Sequence, residues 1–318
     1  MSAVFLDYGT VSAGDLNPYS LQRAMPRLLL HESTRDADIA ARMRGSEIVL
    51  TNKLRLTDEI MAATPTLRLI ALAATGTNNV DLVAAQSRGI AVCNIRDYCT
   101  PSVAQHVLGV ILALTHRLRD YSRAATDGTW GSSLQFTLLN YPIRELRGRV
   151  LGIVGWGVLG QAVAKICEAA LGMRVLVANR TEGVPVPGRL DLVELLPQVD
   201  VLSLHCPLTP ATMTMIGAAQ LTSMKRDAVI VNTARGALID VQALADALRA
   251  GTIAGAAIDV LPQEPPLDGS PLFAPDLTNL ILTPHTAWAA RESRQRCLEE
   301  IAANVTDFLA GGRRGRVV

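Results

Sequence analysis

A chain of 318 residues has room for two ordinary α/β domains, each with its own core. Its 30 Lys and Arg against 29 Asp and Glu leave a formal net charge of +1 with no basic block or stripe, which excludes the electrostatic footprint of a nucleic-acid binder. The N-terminus, Met1-Ser2-Ala3-Val4-Phe5-Leu6-Asp7, reads as a strand rather than a signal peptide, and the longest apolar stretch, Val107 to Leu114, is too short to span a bilayer. The β-α-β-α rhythm predicts parallel sheets covered by helices on both faces. In the first hundred residues it places strands at Val4-Asp7, Glu47-Thr51, Leu67-Ala73 and Ile90-Cys93, with helices near Asp36-Arg44, Thr57-Ala63 and Asp81-Arg88. Pro101 to Arg119 is apolar on nearly every face (Val103, Val107, Leu108, Val110, Ile111, Leu112, Leu114), the pattern of a helix buried on all sides, here between domains or against another subunit. Asp120-Arg149 is mixed and aperiodic, and reads as a long arm. Strand Val150-Val154, helix Gln161-Leu171 and strand Arg174-Ala178 follow, then strands at Val199-Leu204, Ala228-Asn232, Ile253-Asp259 and Leu280-Thr283 and a closing helix at Arg291-Leu309.

The run Gly155-Trp156-Gly157-Val158-Leu159-Gly160 carries the first chemistry. A lone GxGxxG is weak, but this one leaves an apolar strand, opens a helix and leads to a second strand about twenty residues on, the context a dinucleotide fingerprint requires. The first glycine permits the turn, the second lets backbone approach a pyrophosphate, and the third brings helix and strand together over the positive end of the helix. Where an acidic residue would hold the ribose 2′-hydroxyl of NAD, the chain has Asn179-Arg180-Thr181. A neutral residue followed by a cation favours the 2′-phosphate of NADP(H), with NAD(H) still usable. The alternative is that Asn179 hydrogen-bonds the hydroxyl and Arg180 is a solvated surface charge.

Three polar residues sit where strands of the second half end: Arg235 in Asn232-Thr233-Ala234-Arg235-Gly236, Glu264 in Pro262-Gln263-Glu264-Pro265-Pro266, and His285 in Thr283-Pro284-His285-Thr286. Open α/β sheets gather ligands at the carboxyl ends of their strands. Reducing a ketone by hydride needs a proton donor that exchanges near neutrality, for which histidine suits, and a carboxylate beside it stabilises the imidazolium and fixes its tautomer. A guanidinium binds the carboxylate of a 2-oxo acid in two prongs while polarising the carbonyl. Alone, each residue reads more readily as structural; together, in this order behind a dinucleotide loop, they read as a site. The five cysteines (Cys93, Cys99, Cys167, Cys206, Cys297) form no CxxC pair and no metal-ligand spacing, so neither a zinc site nor a disulfide framework is expected and a reducing cytoplasm is the simplest home.

With Leu204-His205-Cys206-Pro207-Leu208-Thr209, these motifs make the chain similar, over essentially its whole length, to the D-isomer-specific 2-hydroxyacid dehydrogenase family. The segments Gly76-Thr77-Asn78-Asn79-Val80-Asp81 and His285-Thr286-Ala287-Trp288 resemble its glycerate dehydrogenase, or hydroxypyruvate reductase, branch. The resemblance implies two Rossmann-like, doubly wound parallel-sheet domains: a dinucleotide-binding domain over 100–289 and a smaller flavodoxin-like substrate domain from 1–99 and 290–318. It implies that Arg235 binds the substrate, that Glu264 pairs with His285 as acid/base, and that the Ala74-Thr75-Gly76 loop offers amides to the substrate carboxylate. It places Val158 and Leu159 on the pyrophosphate, Asn179, Arg180 and Thr181 around the adenosine ribose, Cys206 and Pro207 beside the adenine, and Thr100, Thr233 and Asp259 toward the nicotinamide. It further implies a homodimer built by the apolar helix and the arm, with Gln105 where relatives often carry glutamate. His31, His106 and His116 need no special role, and His205 contributes mainly its backbone. The implied activity is reduction of a small 2-oxo acid of the hydroxypyruvate or glyoxylate type to the D-2-hydroxy acid. Rival readings are a dinucleotide-sensing corepressor of the same fold, a phosphoglycerate dehydrogenase, and formate or phosphite oxidation.

Overall fold

Residues 1–180 and 183–318 are described by the computed structural model. In chain order the elements are β1 (Ala3–Phe5), α1 (Tyr19–Ala24), β2 (Leu28–Leu30), α2 (Ile39–Met43), β3 (Ile48–Thr51), α3 (Asp58–Ala62), β4 (Leu69–Leu72), α4 (Leu82–Ser87) and β5 (Ala91–Cys93). Then come α5 (Thr100–Thr115), α6 (Leu118–Thr126), β6 (Val150–Val154), α7 (Val158–Leu171), β7 (Arg174–Val177), α8 (Leu192–Leu195) and β8 (Val201–Leu204). The chain closes with α9 (Ala218–Ser223), β9 (Val229–Asn232), α10 (Val241–Ala250), β10 (Gly255–Ile258), β11 (Leu280–Leu282) and α11 (Arg291–Leu309). Two compact units emerge, Met1–Cys99 with Trp288–Val318, and Thr100–Ala287.

In the first unit the strands run parallel in the order β2-β1-β3-β4-β5, the flavodoxin-like winding. Its inner strands are apolar at successive positions because both faces are covered. Phe5, Leu50, Leu69 and Ala71 face Leu21 of α1 and Leu298, Ile301 and Val305 of α11. Val4, Val49, Ile70 and Leu72 point the other way, onto Ile39 and Met43 of α2, Met61 of α3 and Ala85 of α4. The helices start where side chains satisfy their first amides: Thr57 accepts from Ile60 N at 3.4 Å and Asp81 from Ala84 N at 2.9 Å. The strand Leu28–Leu30 and helix α1 escape the sequence pattern because each is short, one bounded by Pro26 and the other by Pro18, and β2 is a partly exposed edge.

The second unit holds a parallel sheet in the order β11-β10-β9-β8-β6-β7. Its core runs from Leu202, Leu204 and Ile230 to Leu244, Leu248 and Ile258. The winding reverses between β6 and β8, and the crevice outside the carboxyl ends of strands at such a reversal is where open α/β sheets take ligands. Within the chain Val103, Val107, Val110 and Ile111 of α5 are buried, while Gln105 is exposed and Leu108 and Leu112 are only half-covered. One expectation is corrected here. The supposed arm from Asp120 begins inside α6, which turns its buried Ala124 inward while buried Asp120 pairs with Arg117 at 2.6 Å.

Candidate active site

At the carboxyl end of β6 the chain takes Gly155 to φ +103, which L side chains rarely adopt, and lays it against the β8 loop. A Cβ on Gly155 would stand 2.5 Å from the backbone nitrogen of Cys206, and one on Gly160 would stand 2.1 Å from the Gly155 carbonyl oxygen. The space before Gly157 is open, with nothing within 4 Å of where its Cβ would lie. Glycines one and three are thus demanded by protein packing, while the middle one leaves room for a ligand's phosphates. Gly157 caps α7, whose first turn contains Val158 and Leu159 and presents free amides and a positive dipole end, a setting that favours an anion by about 0.3–1 kcal/mol.

This loop forms one wall of a 520 Å³ cavity that also meets Asn179, Arg180, Arg189, Cys206 and Pro207. Thr181 lies outside the described residues. The side chain of Asn179 is committed to the protein: Oδ1 accepts from Val186 N at 3.0 Å and Nδ2 donates to Asp191 Oδ1 at 2.9 Å. Sequence reasoning missed Arg189. Its signal was the Pro187-Gly188 pair, with Gly188 at φ +82, which turns the chain back toward Asn179. Beneath the cavity, burial pushes the His205 imidazole down to about 4, and its Nε2 contacts Ser203 Oγ at 2.8 Å.

The trio lies along the same carboxyl edge. Asn232, at the end of β9 and fully buried, holds the Arg235 turn by donating to the Arg235 carbonyl at 2.9 Å and accepting from Ala234 N at 3.0 Å. Gly236 packs so tightly on the next loop that a Cβ there would stand 2.0 Å from the Leu261 carbonyl carbon. That contact sets the Arg235 turn against the loop bearing Glu264. The Glu264 carboxylate accepts from Leu261 N at 2.8 Å through Oε1 and meets His285 Nδ1 at 2.5 Å through Oε2. With Nδ1 so engaged, Nε2 of His285 is the nitrogen left to exchange a proton.

His285 sits in the left-handed region, φ 56, and the turn around it is clamped by Asp259 at the end of β10. The His285 amide donates to the Asp259 carbonyl at 2.8 Å, and the Asp259 carboxylate accepts from Thr283 Oγ1 at 2.5 Å, Thr286 N at 2.9 Å and Ala287 N at 3.0 Å. His106, given no role from sequence, reaches Thr283 Oγ1 at 3.5 Å from α5, so it belongs to this support. Thr233 Oγ1 is buried with no hydrogen-bond partner among the described residues, an orphaned polar atom beside Arg235. Thr100 is the first residue of α5. In the first unit, Ala74, Thr75 and Gly76 follow β4; Ile95 N donates to the Ala74 carbonyl at 3.2 Å and Asn94 Nδ2 to the Thr75 carbonyl at 2.7 Å. Among the described residues no helix is long and apolar enough to cross a membrane.

The glycine cradle, the orphaned Thr233 hydroxyl and the Arg180 guanidinium at the cavity wall fit a dinucleotide. Comparison with known proteins agrees. Residues 108–287 match the model of the D-isomer specific 2-hydroxyacid dehydrogenase NAD binding domain. The chain is 47% identical over 274 residues to a glycerate dehydrogenase of Methylorubrum extorquens, covering 86% of each chain. Its fold is similar to that of the TT0316 protein from Thermus thermophilus, with a TM-score of 0.87, 36% identity and 100% of both chains covered. An NADPH-dependent glyoxylate/hydroxypyruvate reductase of Sinorhizobium meliloti is also similar, with a TM-score of 0.82 and 28% identity, covering 100% of this chain and 98% of that one. These likenesses do not favour the corepressor reading. The chain belongs to the D-isomer specific 2-hydroxyacid dehydrogenase family and is an oxidoreductase that uses a nicotinamide dinucleotide to interconvert 2-oxo and 2-hydroxy acids.

Proposed function

We propose that the protein reduces a small 2-oxo acid of the hydroxypyruvate or glyoxylate type to the D-2-hydroxy acid, with NADPH preferred and NADH usable. The observation that carries the reading is the 2.5 Å contact between Glu264 and His285, on the sheet edge whose β6 end bears the glycine cradle. The cofactor, when bound, supplies hydride to the carbonyl carbon. His285 Nε2 donates the proton that the forming alkoxide needs, while Glu264 holds Nδ1 and stabilises the positive charge of the imidazolium before transfer. Arg235 grips the substrate carboxylate and polarises the keto oxygen with its fork. Val158 and Leu159 would hold the pyrophosphate, Cys206 and Pro207 the adenine, and Thr100, Thr233 and Asp259 the nicotinamide. Substrate size is proposed from the glycerate dehydrogenase and glyoxylate/hydroxypyruvate reductase likenesses.

The preference for NADPH rests on the absence of a carboxylate at Asn179 and on the guanidinium of Arg180. A second copy of the chain is proposed to cover the segment after α6, where Leu134, Phe136 and Leu139 are almost wholly exposed; light scattering in solution tests this. The described cysteines are all free, which suits a reducing cytoplasm.

The test is a panel of 2-oxo acids assayed with NADPH and NADH, on wild type and His285→Ala. Hydroxypyruvate or glyoxylate is expected to give the highest kcat/KM, and the variant to lose roughly 10²–10⁴-fold in kcat, the usual worth of a positioned general acid. A higher kcat/KM for a branched or aromatic 2-oxo acid would overturn the substrate reading, and near-normal turnover of the variant would remove His285 as the acid.

A further inference from the structure

We propose that Arg189 is a second cation at the adenosine end of the cofactor cavity, so that the 2′-phosphate of NADPH is gripped by two guanidinium groups, Arg180 and Arg189. The inference rests on the NADP(H) reading above and deepens it. Arg180 and Arg189 line the same cavity although nine positions apart in the chain. Backbone pairing fixes where the segment bearing Arg189 returns to the cavity. Asn179 N donates to the Leu190 carbonyl at 2.7 Å and Leu190 N to the Val177 carbonyl at 3.0 Å, so Leu190 pairs beside Ala178 as a parallel extension of β7. A turn closed by Arg189 N on the Val186 carbonyl at 3.1 Å delivers Arg189 to that extension.

Asn179 works in the same direction. Its amide is spent clasping this returning segment through Val186 and Asp191, so the role considered for it at a ribose hydroxyl falls to its neighbours. Neither Arg180 nor Arg189 has a carboxylate partner among the described residues. The Asp191 carboxylate, next in the chain after Leu190, already accepts from Asn179 and caps α8. A ribose 2′-phosphate carries about −1.5 to −2 at neutral pH, so two guanidiniums balance it where one leaves it half-neutralised. Arg189 also lies against the cavity wall, where its contact is screened less than that of a fully solvated side chain.

The experiment measures dissociation constants by calorimetry for NADPH, NADH, adenosine 2′,5′-bisphosphate and 5′-AMP, on wild type, Arg189→Gln and Arg180→Gln, with melting curves to confirm folding. Arg189→Gln is expected to weaken NADPH and the bisphosphate about 10-fold while NADH and 5′-AMP change less than about twofold. The double variant should bind the two dinucleotides alike. If Arg189→Gln leaves the NADPH/NADH ratio untouched while Arg180→Gln lowers it, the site has one cation and the inference fails although the NADPH reading stands. Equal weakening of NADPH and NADH by Arg189→Gln would assign Arg189 to shaping the cavity, which also overturns the proposal. A wild type that binds the bisphosphate no better than 5′-AMP would bring down the NADPH reading itself.

Discussion

Asp259→Asn is the sharpest probe of how the site is held. The Asp259 carboxylate is 3% exposed and receives three hydrogen bonds, from Thr283 Oγ1, Thr286 N and Ala287 N. Asparagine keeps the shape but turns one acceptor oxygen into an NH2 that must face one of those donors. A hydrogen bond to a charged group contributes about 1.5–3 kcal/mol, and a buried donor left unsatisfied costs about 1–3 kcal/mol. The turn should therefore lose on the order of 3–5 kcal/mol of local stability. His285 sits inside it at φ 56, a left-handed conformation that costs a non-glycine residue about 1–2 kcal/mol and persists only while its surroundings enforce it.

Once the clamp slackens, the imidazole drifts from Glu264, and a displacement of about 1 Å suffices for roughly a 10²-fold loss of turnover. Two assays read this together. Steady-state reduction of the best 2-oxo acid should show kcat down by about that factor. Proton NMR should show the strongly hydrogen-bonded Nδ1 proton of His285 in wild type and its loss in the variant. A variant with wild-type kcat and an unshifted Nδ1 resonance would refute the reasoning and leave Asp259 no part in placing His285.

Arg235→Lys keeps the charge but not the planar fork, so kcat/KM for the 2-oxo acid should fall by at least about 10-fold with cofactor affinity little changed; matching kinetics would show that fork geometry is unimportant there. His205 titrates near 4 in the folded chain, against about 6.5 when unfolded. Below about pH 6.5 the unfolded state therefore binds a proton that the folded state refuses, and stability falls with pH until the folded value is reached. At about pH 5 the loss is about 2 kcal/mol. His205→Gln should flatten this part of the urea-midpoint profile between about pH 7 and pH 5, and an unchanged slope would place the proton uptake elsewhere.

What the sequence disclosed and what it hid divide along a physical line. Gly155 and Gly160 were legible because their requirement is local: strand, turn and helix lie within about twenty residues, and packing there tolerates no side chain. The pairing of Glu264 with His285 came with the family resemblance, and residue order alone showed only that both follow strands whose carboxyl ends face one edge. Arg189 was not, because its place depends on Leu190 pairing beside Ala178 across a turn with no hydrophobic period. The mild polarity of Asn179 suggested a ribose contact, yet its amide closes a loop, since a short amide meets its nearest backbone partners first. The composition of α5 is apolar nearly all round, and within the chain its face with Gln105, Leu108 and Leu112 is not fully covered.

The supports of the second unit share one construction. Gly155 abuts the backbone after β8, Gly236 abuts the backbone after β10, and Asp259 binds the backbone after β11. Each joins the loop at one strand's end to the loop at another's, so the glycine cradle, Arg235 and His285 hang from a single laced edge. Such lacing is insensitive to the chemistry of the exposed side chains, because its partners are amides and carbonyls. It is intolerant of any added atom at the glycine contacts themselves, where a Cβ would stand 2.0 Å from backbone at Gly236 and 2.5 Å at Gly155. Functional change in this chain is therefore open at positions such as Arg180 and Arg189, which line the cavity, and closed at the glycines behind them.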